Sequence, residues 1–294
     1  MSANPTPFEK LFDGPVSSLS LGKAQRAVLL SGADVHLYDG KRLRKLEPAV
    51  NPSADGLHAN VFFGRDNEPR VLGYITPSPT AAGAQSPRTK YLRYRGGRLA
   101  EAKDEIGSLA SAQGVLYGVL GHDDPEVVCL AEKICIVKRL SGWKNIPAQS
   151  AAFEMVLAQG QVFAWRETTL EQLSKTGFVA LPSPPTRAPI RSVWLGPDQA
   201  LWLVDGSTLH QRRAETWSSL TAPIQNPTVV WGRSSNDVWL GGSDGAAHFD
   251  GQSWRCVDGV PGPITHIAGN ESTLWIAGPG GAYRSLASAA GTSR

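Results

Sequence analysis

The sequence predicts an all-β protein built as a seven-bladed β-propeller. Two observations support this: a unit of four short strands recurs along the chain, and it recurs with a period of about 40 residues. The composition agrees, because 31 Gly and 21 Pro spread over 294 residues suit tight turns and short strands rather than long helices. Residues 51–150 follow the repeat less closely, so six or eight blades are alternatives.

The clearest unit runs from Pro227 to Pro261. The turn signals SSND, SDG and GQ divide it into the strands TVVWGR, VWLGG, AAHFD and SWRCVD. Four short strands joined by such tight turns form an up-and-down sheet. Similar units start at Ile264 and near Ile190, and more divergent units start near residues 16, 57, 106 and 151.

Tryptophans recur at matching places in these units. Trp202, Trp239 and Trp275 share one place, and Trp217 and Trp254 share another. Large aromatic rings can fill the space between blades, where the burial of each contributes on the order of 2–3 kcal/mol. We therefore expect the tryptophans to belong to the core rather than to a ligand platform.

The chain termini indicate how the ring closes. The last unit has three strands, ending in AYRSL, and the N-terminal segment 6–13 resembles the fourth strand of the preceding unit. We expect this N-terminal strand to complete the last blade and so to remove an exposed sheet edge. Residues 1–294 would then form a single domain, with residues 284–294 as a flexible tail.

The repeat DVWLGGSDGAAHFDGQSW resembles the propeller repeats of two-component-regulator sensor domains. It is equally similar to the short Asp-Val-Trp propeller repeats of myxobacterial proteins. The resemblance covers residues 187–283 directly, about a third of the chain. It implies a propeller fold and a bacterial origin, and it implies no reaction, since a fold does not determine a function.

The bulk properties favour a protein of the cytoplasm. The net charge of +3 is too small to indicate nucleic acid as the partner. Three cysteines, an odd and sparse number, argue against a disulfide framework, and we expect reduced thiols. The segment MSANPTPFEKLFDG has no signal-peptide pattern, and the apolar stretches are too short for membrane insertion.

No catalytic motif is present, and the sequence assigns no catalytic, cofactor-binding or metal-binding residue and no cofactor. The histidines at 36, 210, 248 and 266 fall in predicted strands of different blades, and only His266, with His58 as a second candidate, falls on an innermost strand. The acidic segment GHDDPE could bind a cation through oxygen ligands, but an acidic turn is the simpler interpretation.

Three basic clusters are a possible site for an anionic partner. They comprise Lys41 to Lys45, Arg88 to Arg98 and Lys138 to Lys144. Because they fall on predicted third and fourth strands near the outer rim, a solvated surface is the favoured interpretation, and nucleic acid or an acidic protein face is the alternative.

Long insertions in the second and third units predict a partner-binding face. Residues 76–87 and 122–133 are each expected to connect a second strand to a third strand, which would place both on one face of the ring. Long loops on a rigid scaffold commonly carry function. The Pro-rich link 182–189 would lie on the same face. The candidate partner-binding residues are Ser78, Gln85, Arg88, His122, Asp123, Asp124, Glu126 and Arg187.

The sequence therefore predicts a non-catalytic scaffold or adaptor that binds another protein. The alternatives are a binder of an anionic partner such as nucleic acid, and a propeller lyase or hydrolase with a site on the central axis. The enzyme would need polar groups on several innermost strands, and those predicted strands offer mostly Ser and Thr with one His.

Overall fold

The computed structural model describes residues 7–48, 57–63, 66–75, 88–101, 116–120, 126–130, 134–139, 142–147, 154–159, 161–174, 176–182, 184–186 and 188–286. Within these residues every regular element is a β-strand. The first ten strands are β1 (Phe8–Phe12), β2 (Ser18–Leu21), β3 (Ala27–Ser31), β4 (Asp34–Tyr38), β5 (Leu43–Lys45), β6 (Glu47–Pro48), β7 (Leu57–Phe63), β8 (Pro69–Ile75), β9 (Arg88–Arg95) and β10 (Arg98–Glu101). The next eight are β11 (Leu116–Leu120), β12 (Glu126–Leu130), β13 (Ile134–Arg139), β14 (Gly142–Pro147), β15 (Glu154–Ala158), β16 (Gln161–Arg166), β17 (Thr169–Leu173) and β18 (Phe178–Ala180). The last eleven are β19 (Ser192–Leu195), β20 (Leu201–Val204), β21 (Leu209–Arg213), β22 (Thr216–Leu220), β23 (Val229–Ser234), β24 (Asp237–Gly242), β25 (Gly245–Phe249), β26 (Trp254–Cys256), β27 (His266–Gly269), β28 (Leu274–Gly278) and β29 (Gly281–Ser285).

The described strands form seven sheets, numbered here along the chain. Sheet 1 contains β2–β5, sheet 2 contains β7–β10 with β6 on its outer side, and sheets 3 and 4 contain β11–β14 and β15–β18. Sheets 5 and 6 contain β19–β22 and β23–β26, and sheet 7 contains β27–β29 with β1. Consecutive strands pair antiparallel, and β6 pairs parallel with β10. The chain divides into two compact units, residues 17–183 and residues 1–16 with 184–294.

Sheets 1 to 4 lie in the unit of residues 17–183. A hydrophobic core of this unit lies where sheets 1 and 2 pack together. Its buried residues include Leu30, Leu37, Val61, Phe63 and Leu92. β3 is buried along nearly its whole length because its apolar run AVLLS sits between β2 and β4 inside the sheet.

Sheets 5 to 7 lie in the second unit, and tryptophans fill the spaces between them. Trp202 packs among buried residues of sheets 5 and 6, and Trp239 packs against Ile264 and Ile267 at sheet 7. Trp202 and Trp239 are each 3% exposed and Trp275 is fully buried. The prediction that these three rings belong to the core is confirmed for the structure described.

The N-terminal strand completes sheet 7, as predicted. β1 pairs antiparallel with β29, from Phe8 opposite Ser285 to Phe12 opposite Ala282. Phe8 also makes an edge-to-face contact with Trp239, with ring centroids 5.9 Å apart. The closing strand therefore contributes to the core as well as covering the edge of β29.

Small residues allow the innermost strands of the second unit to pack closely. Gly232 on β23 lies against the indole of Trp194, and Gly269 on β27 lies against the indole of Trp231. A Cβ atom at Gly232 would come within 2.7 Å of Trp194 Cη2. Each innermost tryptophan therefore requires a glycine on the next sheet.

Serine hydroxyls of the innermost strands also connect neighbouring sheets. Ser18 Oγ accepts a hydrogen bond of 3.1 Å from the Val61 amide, and Ser192 Oγ accepts one of 3.2 Å from the Val230 amide. An innermost strand is the edge strand of its sheet and pairs on one side only. The amide groups on its unpaired edge therefore need another hydrogen-bond acceptor. The serines predicted on these strands have this structural use.

The structure confirms the all-β propeller class and the closing strand. The arrangement as one domain with seven blades stays a prediction. The expected start of the third unit near residue 106 lies outside the described residues, and the first described strand of sheet 3, β11, starts at Leu116. The proposed tail overlaps β29 at residues 284 and 285, and residues 287–294 lie outside the described residues.

Candidate partner-binding end of sheet 2

The connection between the second and third strands is short in six of the sheets. It has two residues in sheets 1, 4, 6 and 7, three in sheet 3 and four in sheet 5. In sheet 2 the same connection has twelve residues, 76–87. The prediction that this segment is an insertion between a second and a third strand is therefore correct.

Two further long connections meet the same end of sheet 2. Ile75, which precedes the insertion, pairs with both Leu57 and Arg88, so β7 begins where β8 ends and β9 begins. β10 runs antiparallel to β9 and its last residue, Glu101, is opposite Leu92. The strand ends next to residues 49–56, 76–87 and 102–115 therefore all lie at one end of the sheet, which we call the long-connection end.

Most of the candidate binding residues lie outside the described part of the chain. These are Ser78, Gln85, His122, Asp123, Asp124 and Arg187. Arg88 and Glu126 are strand residues. Arg88 begins β9 at the long-connection end, and Glu126 begins β12 opposite Lys138. The assignment of these residues to a partner site stays a prediction.

The expected position of the second insertion is wrong. Residues 122–133 do not form one connection, because residues 126–130 form β12, which pairs with both β11 and β13. Residues 121–125 therefore connect the first strand of sheet 3 to its second strand. In an up-and-down sheet this connection lies at the opposite end from the connection between second and third strands. The two segments do not occupy equivalent connections.

A buried carboxylate in sheet 5, which the sequence reading missed, organises one end of that sheet. Asp205 Oδ1 accepts hydrogen bonds from the amides of Ser207 and Thr208, at 3.0 and 2.8 Å. Asp205 Oδ2 accepts from the Thr186 hydroxyl at 2.6 Å and from Nε2 of His210 at 3.2 Å. Burial by itself would raise the pKa of Asp205, but the hydrogen bonds outweigh it and lower the pKa to about 2.

This cluster has the residue types of a nucleophilic triad but serves as framework. His210 Nδ1 lies 3.1 Å from Ser219 Oγ, so the order is Asp, His, Ser. However, Asp205 is 4% exposed and His210 is 2% exposed. The cluster ties the link before sheet 5 to the third and fourth strands. The sequence signal that could have revealed it is the Asp-Gly-Ser-Thr turn two residues before His210.

A second carboxylate, Asp237, connects three side chains of sheet 6. Trp239 Nε1 and His248 Nε2 donate to Asp237 Oδ1 at 2.7 and 2.9 Å, and Arg233 donates to Oδ2 at 2.6 Å. The His248 ring stacks on Trp239 with centroids 4.2 Å apart. Burial would raise the pKa of Asp237, but the hydrogen bonds from His248 and Arg233 outweigh it and lower the pKa to about 2. This carboxylate is also held by framework donors.

The described innermost strands of the second unit offer few groups for acid–base chemistry. In the second unit these strands are β19, β23 and β27, whose histidine and charged residues are His266 and Arg233. His266 is half-buried and its Nδ1 lies 2.8 Å from Thr265 Oγ1. Arg233 also donates from Nε to the carbonyl oxygen of Asn270, at 2.8 Å, and so joins sheets 6 and 7.

Acidic neighbours pair with several residues of the basic clusters. Asp66 accepts from Arg70 at 2.9 Å and from Arg93, and Lys45 lies 2.8 Å from Asp34. Arg44 donates to the Tyr94 hydroxyl at 2.7 Å, which joins sheets 1 and 2. These side chains are already engaged by groups of the protein itself, which weakens the case for an anionic partner on this surface.

Metal-binding clusters and membrane-spanning helices are both absent from the described residues. No three side chains among His, Cys, Asp and Glu come together in a way that could hold a metal ion there. In the same part of the chain, no helix has the length and hydropathy needed to cross a membrane.

No family model and no curated protein sequence matches this chain. Solved structures do resemble it. Virginiamycin B lyase from Staphylococcus aureus is 12% identical with a TM-score of 0.70, and the match covers 96% of this chain and 99% of that one. YCF48 from Cyanidioschyzon merolae is 12% identical with a TM-score of 0.66, covering 95% and 98% of the two chains.

The extracellular domain of a hybrid two-component system from B. thetaiotaomicron is also similar, at 12% identity and a TM-score of 0.64. That match covers 96% of this chain and 42% of the longer one. The expected likeness to two-component-system propellers is thus seen at the level of fold, and the repeat type stays a prediction. At these identities the likeness shows the fold alone: the chain is an all-β protein of the β-propeller class.

Proposed function

We propose that this protein is a non-catalytic scaffold that binds another protein through the long-connection end of sheet 2. The observation that carries the proposal is that the strand ends next to residues 49–56, 76–87 and 102–115 lie together at one end of one sheet. Binding residues are disproportionately found on long connections held by a rigid framework. The candidate Arg88 begins β9 at this end, and the candidates Ser78 and Gln85 belong to the segment 76–87 that precedes it in the sequence.

The hydrogen bonding of the two buried carboxylates in sheets 5 and 6 supports a binding function over catalysis. Asp205 and Asp237 have strongly lowered pKa values, which often mark functional sites, but structural networks produce the same shift. Here the donors come from turns, from strands of the same sheets and, for Asp205, from Thr186 in the link before sheet 5. A scaffold needs such rigid sheets and needs no reactive group. A cytoplasmic location and a bacterial source are part of the same proposal.

The register of sheet 2 provides a clean test. Ile75 and Arg88 are direct partners, as are Ser31 and Asp34 in sheet 1, where two residues close the turn. Replacement of residues 76–87 by Asn-Gly should therefore close β8 and β9 with a tight hairpin and leave the sheet intact. The matched control replaces Gly32-Ala33 with Asn-Gly, which introduces the same turn at the same connection of sheet 1.

The assay is affinity capture from extract of the source cells, with identification of retained proteins by mass spectrometry and confirmation by direct binding of the purified partner. We expect one protein to be retained by the intact chain and by the control and to be lost with the shortened chain. Circular dichroism and thermal unfolding must show that the shortened chain is folded. A partner that binds the shortened chain equally well would place the site elsewhere and refute the proposal.

A lyase with an axial site is the second candidate function, and His266 is the observation that favours it. A histidine-to-alanine variant of the Staphylococcus aureus lyase is described as catalytically inactive, in a structure with quinupristin. In this chain His266 lies on the innermost strand β27. If quinupristin is lost on incubation with this protein and is not lost with His266→Ala, the protein is a lyase and the scaffold proposal is replaced. An unchanged quinupristin signal would remove this candidate substrate.

A further inference from the structure

Two of the three cysteines are direct cross-strand partners in sheet 3. Cys129 on β12 is opposite Cys135 on β13, one register pair away from Leu130 and Ile134, where the hairpin closes. The connection between the two strands has three residues, 131–133. The sequence spacing alone did not indicate this pairing, because it depends on the position of the turn midway between the cysteines.

The neighbouring strand shows which kind of register pair the cysteines form. Ile134 is also opposite Pro147 on β14, and proline has no amide hydrogen to exchange. The backbone groups of Ile134 must therefore face β12, and those of Cys135, one residue along, face Ile146 on β14. Cys129 and Cys135 consequently form a non-hydrogen-bonded pair.

The geometry of such a pair suits a disulfide. Residues in a non-hydrogen-bonded antiparallel pair lie on the same face of the sheet with Cα atoms about 4.5 Å apart. Disulfides join Cα atoms separated by about 4.4–6.8 Å. The expected Cα separation lies within this range, so a disulfide can join the two strands without a movement of the backbone.

We propose that Cys129 and Cys135 are a reversible thiol–disulfide site that cross-links β12 and β13. The oxidant is a low-molecular-weight disulfide of the glutathione type. One cysteine thiolate attacks it and expels a glutathione thiolate, which leaves a mixed disulfide. The second cysteine thiolate then attacks the protein sulfur of that bond and expels the second glutathione. Two protein thiols are oxidised and one glutathione disulfide is reduced, and the two protons lost by the protein thiols are taken up by the two glutathione thiolates.

The test uses the full chain carrying Cys256→Ser, since Cys256 is exposed on β26 and could react on its own. The protein is equilibrated with mixtures of oxidised and reduced glutathione and then quenched with an alkylating reagent. Trypsin cuts after Lys133, between the two cysteines, so a disulfide joins peptides 104–133 and 134–138. The matched controls add Cys129→Ser or Cys135→Ser and should not yield the joined peptides.

The decisive comparison is between the folded chain and the same chain in concentrated urea. Cysteines this close in sequence also pair in an unfolded chain, so pairing alone does not establish the register. We expect the folded protein to form the disulfide at least about tenfold more favourably, a difference of about 30 mV in reduction potential. An equal or smaller tendency in the folded state, or only separate glutathione adducts on the two cysteines, would overturn the proposal.

Discussion

The hydrogen bonds to Asp205 should make the stability of the protein depend on pH in a predictable way. The pKa of this carboxyl falls from its ordinary 3.8 to about 2 in the folded state. A shift of one pKa unit corresponds to about 1.4 kcal/mol, so the fold favours the ionised carboxylate by about 2.5 kcal/mol. Asp205→Asn, which is close in shape but uncharged, should lose a similar amount at about pH 7.

The direction in which stability changes with pH follows from the lowered pKa of Asp205. Because the folded pKa is lowered, the stabilisation is complete above the unfolded pKa of 3.8 and is lost as the pH falls through about 2. The stability difference between the wild type and Asp205→Asn should therefore shrink to about half at about pH 3. Comparison with the variant removes the contributions of the other carboxyl groups, which are common to both proteins.

Urea unfolding followed by circular dichroism at several pH values measures this difference. The control is Asp258→Asn, which removes the same charge from an exposed position and should change stability by less than about 0.5 kcal/mol. If Asp205→Asn is no less stable than the control, or if its deficit is the same at every pH, the carboxylate does not have the role assigned to it.

Two further predictions concern packing between sheets. Gly269→Ala should destabilise the fold by about 1–3 kcal/mol, because the new Cβ would overlap Cη2 of Trp231. The control is Gly280→Ala, in the turn between β28 and β29, where a Cβ meets nothing within 4 Å and should be tolerated. Equal melting temperatures for the two variants would contradict this prediction. Phe8→Ala should lower the free energy of unfolding by about 1–2 kcal/mol because the contact with Trp239 is lost, and urea unfolding measures this change. The control is Glu9→Gln. A Phe8→Ala variant as stable as that control would show that the closing strand contributes little to the core.

Much of the fold could be predicted from the sequence because the repeat is local. Turn residues such as Asp244-Gly245 lie between short apolar runs, and each hairpin is determined by its own turn. The strands of sheets 5 to 7 and the buried places of Trp202 and Trp239 followed from this pattern. The closing strand followed from the likeness of segment 6–13 to an earlier fourth strand.

The prediction failed where the repeat is weak. In sheet 3 the sequence predicts one insertion over residues 122–133, because the weak repeat does not show that the apolar run after the acidic turn GHDDPE is a strand. β12 is recognisable only from its pairing with β11 and β13. The error moved residues 122–124 to the wrong end of the sheet and hid the pairing of Cys129 with Cys135.

By itself the sequence determined the β-propeller class, the strands of the regular repeats and the aromatic core positions, since all of these depend on short-range patterns of turns and apolar residues. Only the tertiary structure decided which strand ends lie together beside the long connections, that Asp205 and Asp237 are held by framework donors, and that Cys129 and Cys135 are register partners. These features depend on strand register and on contacts between residues far apart along the chain, for which a single sequence carries no local signal.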